Sequence, residues 1–95
     1  MKKNYYYKDR LIRTSEHDYR YAVIIEAPTK FEVCLCTKEL GYAYRKLRET
    51  RAYWQNAKDK LPQFEKTLTL RKYQEIMSNY DSYIENVKIV RLEVR

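Results

Sequence analysis

The sequence predicts an α+β fold: an antiparallel sheet of three to four strands covered on one face by two helices, in the order βββααβ. Three observations carry that prediction. Residues 1–36 contain runs of β-branched and aromatic side chains broken by polar turns. Residues 38–58 and 70–81 place apolar side chains at helical spacing. The chain then closes on NVKIVRLEV (86–94), where Val90, Leu92 and Val94 share one parity. With 95 residues, one glycine, two prolines and no internal repeat, residues 1–95 are expected to form a single compact domain.

YYYKDRLIR (5–13) and YRYAVIIE (19–26) read as strands flanking the polar turn TSEHD (14–18). The second carries apolar side chains on both parities, which places it centrally in the sheet. APTK (27–30) is a turn. FEVCLC (31–36) alternates Phe31, Val33 and Leu35 against Glu32, Cys34 and Cys36, the pattern of a third strand, with a helix starting at Thr29 as the alternative. Thr37 can cap a helix beginning at Lys38, with Glu39 in its favourable first turn. At about 100° per residue, Leu40, Ala43, Tyr44, Leu47 and Trp54 share one face, and this helix is expected to end near Lys58, ahead of Pro62. A second helix over 70–81, capped by Thr69, turns Leu70, Tyr73, Met77 and Tyr80 inward.

Twenty Lys and Arg against 13 Asp and Glu give a net charge of +7. That excess favours nucleic acid or a nucleoprotein complex, an anionic membrane surface or an acidic protein as partner, and speaks against a mimic of DNA, which needs the opposite sign. No run reaches the length of a membrane span, and no apolar segment follows Lys2 and Lys3, so no membrane partner is expected. Cys34-x-Cys36 is too close for an easy disulfide within one strand; reduced thiols in the cytoplasm are the simpler reading.

Nothing in the chain outlines an active site. One glycine leaves no phosphate-cradling loop. A C-x-C pair and the single His17 fall short of the four ligands of structural zinc, so no metal and no cofactor are expected. Cys34 and Cys36 sit in an apolar strand, where thiols are packing residues. Basic ribosome-dependent endoribonucleases use Lys, Arg and Tyr at similar size, but place their helices before most of the sheet, unlike the order here. A non-enzymatic binding protein is the expectation.

Two surfaces are candidates for that binding. On the first helix Tyr42, Lys46 and Tyr53 fall together on the side away from the apolar face, with Arg45 and Arg48 on the adjoining flank. Such a stripe offers stacking platforms beside phosphate partners. Arg51 lies near the apolar face, where a guanidinium must snorkel, stack on a ring or pair with an acid, unless that face ends early and Arg51 lines a groove. Arg20 and Arg91 can extend the basic surface elsewhere. On the sheet, a helix-facing set of Tyr21, Val23, Ile25, Phe31, Val33 and Leu35 leaves Ala22, Ile24, Cys34, Cys36 and Ile89 on the back. That apolar face suits a homodimer or a partner protein, unless residues 1–12 with Tyr5, Tyr6 and Tyr7 cover it.

YAVIIEAPTKFEVCLCTKEL, followed by an Arg-rich helix and the terminal NVKIVRLEV, is similar to small accessory proteins encoded by phages and mobile elements of low-GC bacteria. The resemblance implies a single-domain, non-enzymatic protein that binds and modulates host machinery, inhibitors of CRISPR–Cas nucleoproteins among them. In that case an aromatic or apolar surface would dock on a host defence protein.

Overall fold

The computed structural model describes all 95 residues, Met1–Arg95. The elements run β1 (Lys3–Tyr7), β2 (Arg10–Ser15), β3 (Tyr21–Ala27), β4 (Lys30–Thr37), α1 (Leu40–Lys60), a 3-10 turn (Leu61–Phe64), α2 (Leu70–Asn86), β5 (Val87–Arg91) and β6 (Glu93–Val94). The class is α+β, with strands preceding two helices and a closing strand. The strands form two antiparallel three-stranded sheets, ordered β4-β3-β5 and β2-β1-β6.

The first strand read from sequence is in fact a hairpin. Lys8 takes a left-handed φ of 53°, the conformation a two-residue turn needs, and Tyr7 pairs with Arg10 across it. Lysine gives no turn signal of the Asn-Gly kind, so the hairpin is hidden in the sequence.

β3 is central, as its double-sided apolar pattern requires: Ala22, Val23, Ile24 and Ile25 are all fully buried. Its two faces meet different layers. Val23 and Ile25 pack with Ala43 of α1 and Val87 of β5, with Leu47, Trp54 and Tyr83 at the edge of that cluster. Ala22 and Ile24 pack with Tyr5, Cys36, Val90 and Leu92, under Tyr7 and Ile12 of the hairpin. Of the two readings of the back face, cover in cis by the N-terminal segment is the one observed: β1 and β2 lie over it, and the molecule has three layers: helices, sheet, hairpin sheet.

The expected membership of that face also changes. Val23 pairs with Leu35 but Ile24 pairs with Val33, so Cys34 is an extra residue in a β-bulge. The bulge flips the parity of β4. Leu35 and Cys34 join the helix-side core, while Phe31 and Val33 join the hairpin side with Cys36. Ile89, also expected on the back, belongs to the helix-side cluster.

The last strand ties the layers together. β5 pairs with β3, β6 pairs with β1, and Leu92 between them is buried and donates its N–H to the Arg20 carbonyl at 2.9 Å.

α1 starts two residues later than Thr37 capping implies. The Thr37 hydroxyl instead accepts from the Glu39 N–H at 3.1 Å in the link, and Glu39 is the N-cap with no side-chain bond of its own. α2 begins at Leu70 with the Thr69 hydroxyl accepting from the Lys72 N–H, the expected cap, but runs to Asn86 and passes directly into β5. Tyr73, Met77 and Tyr80 are half-buried, whereas Leu70, expected inward, is exposed. Neither core cluster contains a residue from 55–79, so the outer half of the helical pair extends past the sheet with Leu61 as its buried pivot. The dimensions, 53 × 25 × 18 Å, follow from that extension.

Candidate functional site

Half-buried positions suit tyrosine, whose ring is apolar and whose hydroxyl needs water or a partner. Of the 11 tyrosines, Tyr5 is buried and seven are half-buried. The other three, Tyr42, Tyr44 and Tyr53, are exposed, and all three lie on α1.

The face α1 gives to the sheet is centred on small residues. Ala43 and Thr50 are its buried side chains, with Leu47, Trp54 and Ala57 half-buried around them. Small side chains let the helix lie close to the sheet; the larger Leu40 and Tyr44, expected on that face, are pushed to the exposed rim. Tyr42 and Tyr53 consequently lie about 90° from the centre of the buried face rather than on the far side. Lys46, also expected on the far side, is half-buried beside β4. Arg51, expected near the apolar face, is exposed and makes neither an ion pair nor a ring contact.

The solvent arc of α1 thus runs from Arg51 through Arg48 and Arg45 to Tyr42 and Tyr53. Arg45 Nε bonds Glu49 Oε1 at 3.2 Å, an exposed i,i+4 pair of small energetic weight. Arg48 and Arg51 have no acidic partner. α1 as a whole carries six basic residues against the acids Glu49 and Asp59.

Because only Lys38 and Glu39 link β4 to α1, the helix folds back along the strand, and a groove opens between them. Its deeper part, about 510 Å³, has Tyr53, Trp54, Thr50 and Lys46 on the helix side and Lys30, Glu32 and Cys34 on the strand side. A second part, about 390 Å³, continues past Tyr42 and Arg45, and Lys46 and Glu49 line both. Trp54 anchors the wall: its ring meets Tyr53 edge-on at 5.0 Å and packs on Tyr80 and Tyr83 at 5.5 and 4.8 Å. Lys30 Nζ lies 4.9 Å from the Trp54 centroid and pairs with Glu32 at 3.3 Å.

Arg20 and Arg91 are exposed at the end of the sheet where α1 begins, since Tyr21 pairs with both Thr37 and Arg91. They sit apart from the middle of α1. Both cysteines are free, and burial pushes each thiol above its ordinary pKa, so neither is a ready thiolate.

Tyr42, Tyr53, Arg45 and Arg48 were legible in the sequence as exposed residues of α1, whereas Tyr44 and Arg51 were assigned to or near its apolar face. The groove was not legible, because Lys30 and Glu32 reach it only once β4 and α1 are laid side by side. The short Lys38–Glu39 link is the one signal that could have revealed it.

Comparison with protein-family models, with curated proteins and with solved structures returned no match.

Proposed function

We propose that the protein binds nucleic acid, free or within a nucleoprotein complex, through the solvent face of α1. The observation that carries this reading is the concentration of all three exposed tyrosines on the helix that also presents Arg45, Arg48 and Arg51. Guanidiniums without an acidic partner are available to phosphates, and exposed phenol rings are platforms for bases. Arg20 and Arg91 add positive charge at the α1 N-terminal end of the sheet. No helix is long and apolar enough to cross a membrane, and the free thiols suit a reducing compartment such as the cytoplasm.

The test is fluorescence anisotropy with labelled single-stranded RNA, single-stranded DNA and duplex DNA across a salt series. Submicromolar binding is expected, with a steep fall as salt rises. Arg48→Ala and Arg51→Ala should each flatten the log–log slope by about one unit. No binding to any of the three at physiological ionic strength would overturn the proposal.

One observation favours the second reading, a protein partner such as a host defence protein. At the projecting end of the helical pair, Phe64 and Leu70 are 52% and 72% exposed. Apolar side chains at a free tip suit insertion into a partner's pocket. Capture of a host protein that Phe64→Ser and Leu70→Ser abolish, and that salt barely weakens, would support it.

A further inference from the structure

The groove between α1 and β4 has the composition of a base-binding slot. One wall is aromatic: Tyr53, 66% exposed, offers a ring face beside Trp54, which is itself braced by Tyr80 and Tyr83. β4 forms the opposite side. It is an outer strand in the order β4-β3-β5, so one of its edges carries backbone N–H and C=O groups with no strand partner, of the kind that can meet the hydrogen-bonding edge of a base.

The charges divide unequally. Glu32 is paired with Lys30 and Glu49 with Arg45, each through a carboxylate oxygen. Lys46, which lines both parts of the groove, has no acidic partner. A half-buried lysine with no ion pair, lining both parts of a mixed aromatic groove, offers its ammonium to an anion, and phosphate sits next to every base in a strand.

Tyr42 and Tyr53 are 11 residues apart on one helix flank, roughly 16 Å at 1.5 Å per residue. Roughly five stacked nucleotides at about 3.4 Å each would fill that span, and fewer if the strand is extended.

We infer that the nucleic acid taken by α1 is single-stranded, and that one of its bases enters the α1–β4 groove to stack on Tyr53, with Lys46 on the adjoining phosphate. This rests on the nucleic-acid reading and narrows it. A duplex keeps its bases paired and stacked, so it can touch the arginines of the helix face but cannot fill the groove.

Trp54 is the chain's single tryptophan and stands in the groove wall, so its emission reports occupancy directly. The experiment titrates the intact protein with a single strand of about eight nucleotides, reading tryptophan fluorescence and anisotropy together, with a duplex in parallel. The expected result is a change in Trp54 emission that saturates with single-strand binding and is absent with duplex. Tyr53→Leu and Lys46→Gln should each weaken single-strand binding by about tenfold. Leu11→Ser, at an exposed apolar residue of β2 away from both α1 and the groove, should stay within about twofold. Matching thermal melts establish that each variant folds. Single-strand binding that saturates with no change in Trp54, or that Tyr53→Leu leaves untouched, overturns the groove assignment while leaving the helix face intact. No binding by any strand overturns both.

Discussion

Tyr5 shows how one side chain fastens the hairpin to the sheet. Its ring is 1% exposed among Ala22, Ile24 and Leu92, and meets Tyr19 edge-on at 5.4 Å. Its hydroxyl donates to the His17 carbonyl at 2.6 Å and accepts from the Tyr19 N–H at 3.2 Å, so one oxygen organises the link between β2 and β3. Tyr5→Phe keeps the packing and removes both bonds. Two backbone groups lose their partner, and water replaces it only in part because Tyr19 is half-buried. A loss of about 1–2 kcal/mol is expected, read as a fall in Tm of roughly 4–15 °C by calorimetry. An unchanged Tm would mean that the link holds itself. Of three consecutive tyrosines in the sequence, nothing local marks the first, Tyr5, as the core residue. The hairpin bulge between Tyr5 and Tyr6 and the turn at Lys8 decide it.

At the scale of elements, periodicity read the existence and type of most pieces but misjudged which residues sit at the centre of a face. In β4, strict alternation joined Phe31, Val33 and Leu35; one bulge at Cys34 separates them, and a single sequence carries no mark of it. In α1, large apolar residues drew the apolar stripe toward Leu40 and Tyr44, whereas close helix–sheet approach put Ala43 and Thr50 at the contact. That geometry is testable with a substitution that an amphipathicity argument would favour. Ala43→Leu adds apolar volume where the side chain has no exposure at all. Overpacking should destabilise by about 1–3 kcal/mol in urea denaturation, despite the better helix-face hydrophobicity. A neutral or stabilising result would place the helix farther from the sheet. The caps divide in the same way: Thr69 was legible because its hydroxyl binds locally, while Thr37 has the same chemistry but spends it on the turn before α1.

At the scale of the molecule, the radius of gyration of 16.0 Å exceeds the roughly 12 Å of a compact 95-residue domain, so cohesion between layers matters more than in a sphere. Glu26 is one of the joints. From β3 its Oε1 accepts the Tyr7 hydroxyl of the hairpin at 3.0 Å and the Lys88 ammonium of β5 at 2.6 Å, and lies 3.6 Å from Lys8 Nζ. The Lys88 hydrogen bond, more than the Tyr7 bond and the charge attraction of Lys88 and Lys8, holds the Glu26 carboxyl below the ordinary carboxylate range. The same bond to Glu26 raises Lys88. A carboxylate with a lowered folded-state pKa contributes stability above its unfolded value, about 4.3 for glutamate, and loses it as pH falls through the folded value. The lysine contributes below its own unfolded value, about 10.4, and loses it as pH rises through the folded one. Glu26→Gln preserves shape and an acceptor for Tyr7 but removes the charge. Its Tm should therefore fall below wild type across neutral pH. The gap should close toward both extremes, as pH falls through the lowered folded value of Glu26 and as it rises through the raised folded value of Lys88. It should also narrow in high salt, because the joint is partly open to solvent. Wild-type and variant curves that run parallel from pH 7 to pH 3 would show that the charge on Glu26 does not hold the layers together. Asp18, held low by its hydrogen bond with Lys3, remains in both proteins and gives each a residual acid dependence, so the quantity to read is the difference between the curves.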